Sequence, residues 1–113
     1  MDINKGISEL VEKYNKKYEA DKDLREKMKN VNKKIVLEIT GDATYRLDVV
    51  GGKVAEFAVG DFDKKDLTVT MDRATYEKIH TKALSPFQAY AEKKIAFKGN
   101  IADLLVMKGI LMD

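Results

Sequence analysis

Two hydrophobic periods run along the chain, and each switch between them marks a new element. Residues 2–19 place Ile3, Ile7, Leu10, Val11, Tyr14 and Tyr18 at three- and four-residue steps, which makes one stripe of an amphipathic helix. Glu9, Glu12, Lys13, Lys16 and Lys17 take the opposite face, and Asp2 is placed to cap the start. The segment Asp23-Leu-Arg-Glu26 has capping-box spacing with aspartate in the cap role, which predicts a second short helix to about Asn30. The period then drops to two. In residues 33–40 Ile35, Leu37 and Ile39 share a face, and in residues 43–50 Tyr45, Leu47 and Val49 do so. Gly51-Gly52 is a two-residue hairpin signal, because both turn positions tolerate positive φ. Residues 53–60 follow with Ala55, Phe57 and Val59 predicted on one face. Tight turns between these strands predict an antiparallel meander with one polar side.

A polar loop leads to a fourth strand, residues 67–72, with Leu67, Val69 and Met71 inward. Asp72 caps a helix that begins at Arg73 and runs to Lys82. Ser85-Pro86 starts another helix, since serine caps and proline at the first position loses no bond it would have made. Residues 95–99 read as a fifth strand, and Asn100 as the cap of a closing helix. The pattern predicts a single α+β domain over residues 1–113, with a five-stranded mostly antiparallel sheet covered on one side by helices.

The closing helix has no polar face. Ile101, Leu104, Leu105, Val106, Met107, Ile110, Leu111 and Met112 cover most of its circumference, and Asp103 and Lys108 are its charged residues. The preceding helix adds Phe87, Tyr90 and Ala91. Such a surplus is buried across a dimer or in a central position, or it lines a cavity for an apolar ligand. Methionine at 107 and 112 suits a cavity of variable shape.

Composition narrows the chemistry. With 113 residues, 44% of them hydrophobic and 35% charged, the chain is long enough for one core and too patterned for disorder. No cysteine is present, which removes disulfides, thiol catalysis and cysteine-bound metals. The net charge of +2 does not point to nucleic acid, and Arg46 on the outer sheet face lacks aromatic company. Residues 41–72 carry four basic and seven acidic side chains, and residues 73–100 carry six and two, so a mildly basic patch is expected late in the chain. Asp61, Asp63 and Asp66 lack the spacing of a calcium loop and read as a solvated turn. His80, the sole histidine, has no nucleophile or carboxylate in a triad-like pattern, so it is expected at a helix end or facing solvent, without a catalytic role. No signal peptide or long apolar span is recognisable, and the expected location is cytoplasmic.

From about Ile35 onward the chain resembles the sterol carrier protein type-2 (non-specific lipid-transfer) domain family. The resemblance rests on the meander with its Gly51-Gly52 turn, on DLTVTMD leading into a helix, and above all on SPFQAYAEKKIAFKGNIADLLVMKGIL. It implies a crossover into the fourth strand and a hydrophobic cavity between sheet and helices. Members bind sterols, fatty acids, fatty acyl-CoA and other lipids. The resemblance places Phe87, Tyr90, Leu104, Leu105 and Leu111 nearest such a cavity, with Tyr76 and Ile79 contributing; Ile101 and Met107 join them from the apolar helix. No catalysis, metal or cofactor is implied. The expected partner is a lipid or acyl chain, with a membrane surface or a second copy as further partners and Lys93, Lys94 or Lys98 meeting an anionic head. Two departures stand out. Glu92-Lys93 occupies a place where members commonly carry glycine, and the chain ends Leu-Met-Asp rather than in a Ser-Lys-Leu signal.

Overall fold

The structure is a computed structural model that describes residues 1–111. Met112, assigned above to the apolar helix, lies outside the described residues. The elements are helices α1 (Ile3–Ala20) and α2 (Lys22–Met28), strands β1 (Lys33–Thr40), β2 (Thr44–Val50), β3 (Lys53–Val59) and β4 (Leu67–Asp72), helices α3 (Arg73–His80) and α4 (Pro86–Ala91), strand β5 (Ile95–Gly99), and helix α5 (Ile101–Leu111). Caps fall where the side chains predict them. Asp2 accepts from the Lys5 N–H, Asp72 from Thr75, Ser85 from Gln88, and Asn100 from Ala102. The exception is α2, which is capped by Asp21 and not by Asp23. Asp21 serves two helices at once: its backbone N–H closes α1 on the Lys17 carbonyl, and its carboxylate opens α2 on the Leu24 N–H.

The sheet has the order β3-β2-β1-β4-β5 and is antiparallel except between β1 and β4. Parallel β1 and β4 require a crossover from β3, and residues 60–66 supply it. Seven residues suffice because Val59 lies level with Tyr45 and Leu37, only two positions above the Ile35–Leu67 pair. The crossover passes over the sheet face that the helices leave open. The Phe62 ring sits 4.8 Å from Lys34 Nζ and 5.3 Å from Arg46 Cζ. Those two residues flank Val36, which is fully buried on this outer face although the alternation makes it solvent-facing.

The inner face carries the core. Ile35, Leu37, Leu47, Val49, Leu67 and Val69 pack against Ile3 and Ile7 of α1 and against Met107 and Ile110 of α5. Each such side chain contributes about 1.5–3 kcal/mol on burial. In β3 the predicted face is corrected. Val54 is buried and Ala55 is exposed, because a bulge pairs Asp48 with Glu56 but Val49 with Val54, which leaves Ala55 unopposed. Phe57 still faces inward, stacked on Tyr45 at 5.7 Å, but Val59 at the strand's end is exposed.

α1 is tied to the meander by side-chain hydrogen bonds. The Tyr14 hydroxyl donates to the Gly52 carbonyl (2.5 Å) and the Tyr18 hydroxyl to Gly51 (2.6 Å). The Asn15 carboxamide both donates to and accepts from Val54, at 3.0 Å each way, on the free edge of β3. Gly52 has φ +82°, and a Cβ there would stand 2.6 Å from Met28 Cβ, so this turn has no room for a side chain.

Candidate functional site

α5 has two apolar stripes and buries one. Asp103, Met107, Ile110 and Leu111 are covered, whereas Ile101 and Leu105, one turn apart, remain 65% and 54% exposed. Phe87 and Tyr90 of α4 are 58% and 51% exposed. These four side chains converge on one groove at the β5 edge of the sheet. α4 contributes Pro86, Phe87 and Tyr90 to its lining, and β5 contributes Ile95 and Phe97. α5 adds Ile101, Leu104, Leu105, Met107 and Lys108. The groove has a volume of about 170 Å³. Tyr90 and Phe97 meet at 5.4 Å, and Lys108 Nζ lies 5.8 Å from the centre of the Phe87 ring.

Short elements aim these groups. The Ser85 cap and Pro86 start α4, which ends in a Schellman motif: Lys93 N–H bonds to the Tyr90 carbonyl, and Lys94 N–H to that of Ala89. Lys93 takes φ +61°, the left-handed conformation that favours glycine, so the departure noted at Glu92-Lys93 falls on Lys93. α3 ends the same way with Lys82 at φ +64°. At the start of α5, Asp103 is only 6% exposed and pairs with Lys33 of β1 at 3.1 Å. That pair fixes the first turn of the helix against the sheet.

Of the residues expected around an apolar site, Phe87, Tyr90, Ile101, Leu104, Leu105 and Met107 come together in this groove. Tyr76, Ile79 and Leu111 do not, since all three are buried in the core. The helical period put them on an apolar face without saying which neighbour that face meets. Pro86, Ile95, Phe97 and Lys108 also line the groove and were not singled out; Ile95 and Phe97 carried a signal, as the alternating inward pair of an edge strand. Lys93, Lys94 and Lys98 do not line it.

Titratable groups elsewhere serve the fold. Burial pushes the Tyr76 hydroxyl up to about 12, and it has no hydrogen-bond partner among the described residues. His80 is the last residue of α3, half-buried and stacked on Tyr76 at 5.9 Å, with no hydrogen bond to a carboxylate or hydroxyl among the described residues. Asp61 pairs with Lys65, and Asp66 accepts from the Lys34 N–H, so these loop aspartates hold the crossover. Among the described residues no helix is long and apolar enough to cross a membrane, and no three acidic or histidine side chains cluster as metal ligands would.

The fold is shared by several solved structures at low identity. A crystal structure of sterol carrier protein 2 superposes with TM-score 0.64 at 19% identity, over 91% of this chain and 88% of that one. The solution structure of palmitated SCP2L2 from Aedes aegypti gives TM-score 0.60 at 19% identity, over 88% and 90%. The stereoselective inverting sec-alkylsulfatase Pisa1 from a Pseudomonas species gives TM-score 0.63 at 19% identity. There the match covers 79% of this chain but only 14% of the sulfatase, so this chain corresponds to a small part of that enzyme. Among curated proteins no sequence matches. The profile of the SCP-2 sterol transfer family matches residues 11–112, and the chain belongs to that family.

Proposed function

We propose that the protein binds an apolar ligand, a lipid or acyl chain, in the groove between α4, β5 and α5, and that it does so without catalysis. The carrying observation is the convergence of exposed Phe87, Tyr90, Ile101 and Leu105 on one concave site. Exposed apolar side chains scattered singly are ordinary, whereas a contiguous set rimming a groove marks a binding surface. Removing ligand surface from water supplies about 25 cal/mol per Å², enough for affinity without a polar anchor. The palmitated relative and the family's sterol-transfer description support the same ligand class. A volume of about 170 Å³ is small beside the ~300–1,000 Å³ of drug-sized ligand sites. A long chain or a ring system therefore requires α5 to move outward, or it leaves part of itself outside.

Gentle purification, organic extraction and mass spectrometry provide the first test, followed by titration with a fluorescent fatty acid. A co-purifying lipid and probe binding that Phe87→Asp weakens at least ten-fold, with thermal stability unchanged, are the expected results. Absence of both lipid and probe binding would sink the reading. The same exposed patch favours a second reading, in which a second copy or an enzyme partner covers it. Light scattering separates the two: a tight dimer that Phe87→Asp dissociates supports the interface, and a monomer that binds probe supports the ligand site.

A further inference from the structure

The sheet has two outer strands, and their edges differ. On β3 the Asn15 carboxamide holds the N–H and carbonyl of Val54. On β5 nothing does the same. β5 pairs with β4 on one side only, and among the described residues no loop or side chain bonds to the backbone of residues 95–99. Every second residue of an outer antiparallel strand turns its N–H and C=O away from the sheet, so β5 carries a row of open donors and acceptors. Ala96, Lys98 and Gly99 are exposed, and Phe97 is half-buried.

The two faces of this edge differ in chemistry. Toward the helices Ile95 and Phe97 line the apolar groove. On the outer face Ala96 and Lys98 border a shallow hollow with Thr68 and Thr70, and Phe97 reaches it as well. Glu38, the acidic residue of that hollow, stands two strands away on β1. Residues 92–100 carry Lys93, Lys94 and Lys98 against Glu92 alone. Lys94 meets Glu92 at 3.6 Å, whereas Lys93 and Lys98 are exposed and make no ion pair among the described residues. A strand added here therefore meets an apolar row on one face and positive charge on the other.

Those charges decide the occupant. Two β5 strands pairing antiparallel about Ala96 would set Lys98 opposite Lys94, and about Lys98 they would set that lysine opposite itself. About Phe97 the lysines of the two copies fall on one face in diagonal reach, so a second copy meets like charge in each register. We infer that the β5 edge takes up an extended segment of another protein, which alternates apolar and acidic residues and adds as a sixth strand. Its apolar side chains continue the row of Ile95 and Phe97 at the rim of the groove, and its carboxylates face Lys94 and Lys98. This gives a chemistry to the protein partner in the second reading above and does not depend on a lipid being bound.

The test uses the full chain labelled with 15N and two short blocked peptides, one alternating valine with glutamate and one alternating valine with lysine. The glutamate peptide should shift the amides of residues 94–99 and slow hydrogen exchange within β5, and it should bind about ten-fold more tightly than the lysine peptide. Lys94→Glu and Lys98→Glu together should reverse that preference. On the unaltered chain, N-methylation of alternate residues in the glutamate peptide should abolish binding for one set and spare it for the other, because only one edge of an added strand faces β5. Equal binding of the two peptides, indifference to both N-methylated sets, or shifts confined to residues 86–90 and 101–105 would overturn the inference. So would concentration-dependent dimerisation that protects the β5 amides, which would give the edge to a second copy. Peptide binding by a chain that takes up no fatty acid supports the inference and sinks only the ligand reading; fatty-acid uptake without peptide binding does the converse.

Discussion

The two ends of this sheet are held by different forces. At the β3 end, α1 is fastened to the meander by Tyr14, Asn15 and Tyr18, which bond Gly51, Gly52 and Val54. Lys53 pairs with Glu19 across the same seam. At the β5 end, α4 and α5 rest mainly on apolar contact, supplemented by the Lys33–Asp103 pair. Directional bonds fix one geometry. Apolar contact tolerates sliding, and here it leaves Phe87, Tyr90, Ile101 and Leu105 uncovered. The apolar ligand site proposed above would sit at the end that can yield, while the other end holds the fold.

The largest expected effect breaks the rigid end. Gly52→Ala combines a left-handed alanine with a collision against Met28 and should cost about 3 kcal/mol, read as a lower midpoint in urea unfolding. A change under about 1 kcal/mol would mean the turn is looser than its geometry. Next comes the yielding end. Asp103→Asn removes a largely buried charge partner of the partly exposed Lys33 and should cost about 1–2 kcal/mol. Hydrogen exchange should rise through α5 and stay unchanged in β2 and β3. Equal acceleration at both ends would erase the distinction drawn between them.

Alkali should act on the core through its buried tyrosines. Burial raises the hydroxyls of Tyr14, Tyr45 and Tyr76 above their ordinary value of 10.0, with Tyr76 at about 12, and Asp42 adds to the effect on Tyr45. Their contribution to stability is therefore intact below pH 10 and is lost as the pH climbs through the folded values. Ionisation followed at 295 nm should show these tyrosines titrating late, with the α1 seam loosening as they do. The smallest effect is a gain. Lys93→Gly relieves a left-handed lysine at the end of α4 and should add about 0.5–1 kcal/mol. Lys93→Ala, which keeps the Cβ, should add nothing.

Much of the architecture was legible along the chain because local signals and tertiary structure agree. Asp2, Asp72, Ser85 and Asn100 start helices where their side chains reach the first free N–H groups, and the strands begin and end within a residue of the alternation. What local pattern did not reveal has one cause, contacts between segments far apart in sequence. Val36 is buried on the outer face between Lys34 and Arg46, the two side chains that Phe62 meets from a crossover 26 residues later. Ala55 is turned outward by a bulge against β2. At the groove, the aromatic and leucine positions of α4 and α5 were readable from their excess, whereas Tyr76, Ile79 and Leu111, which look the same in sequence, lie buried away from it.

The carboxamide of Asn15 has a consequence beyond stability. It occupies the donor and acceptor of Val54 on an outer strand, so it behaves as a one-residue sixth strand. A stray chain seeking to extend the sheet at β3 must first evict it and forfeit two hydrogen bonds. Asn15→Leu should therefore matter less to the isolated molecule than to a crowded solution, where it would open this edge to fibre-like growth.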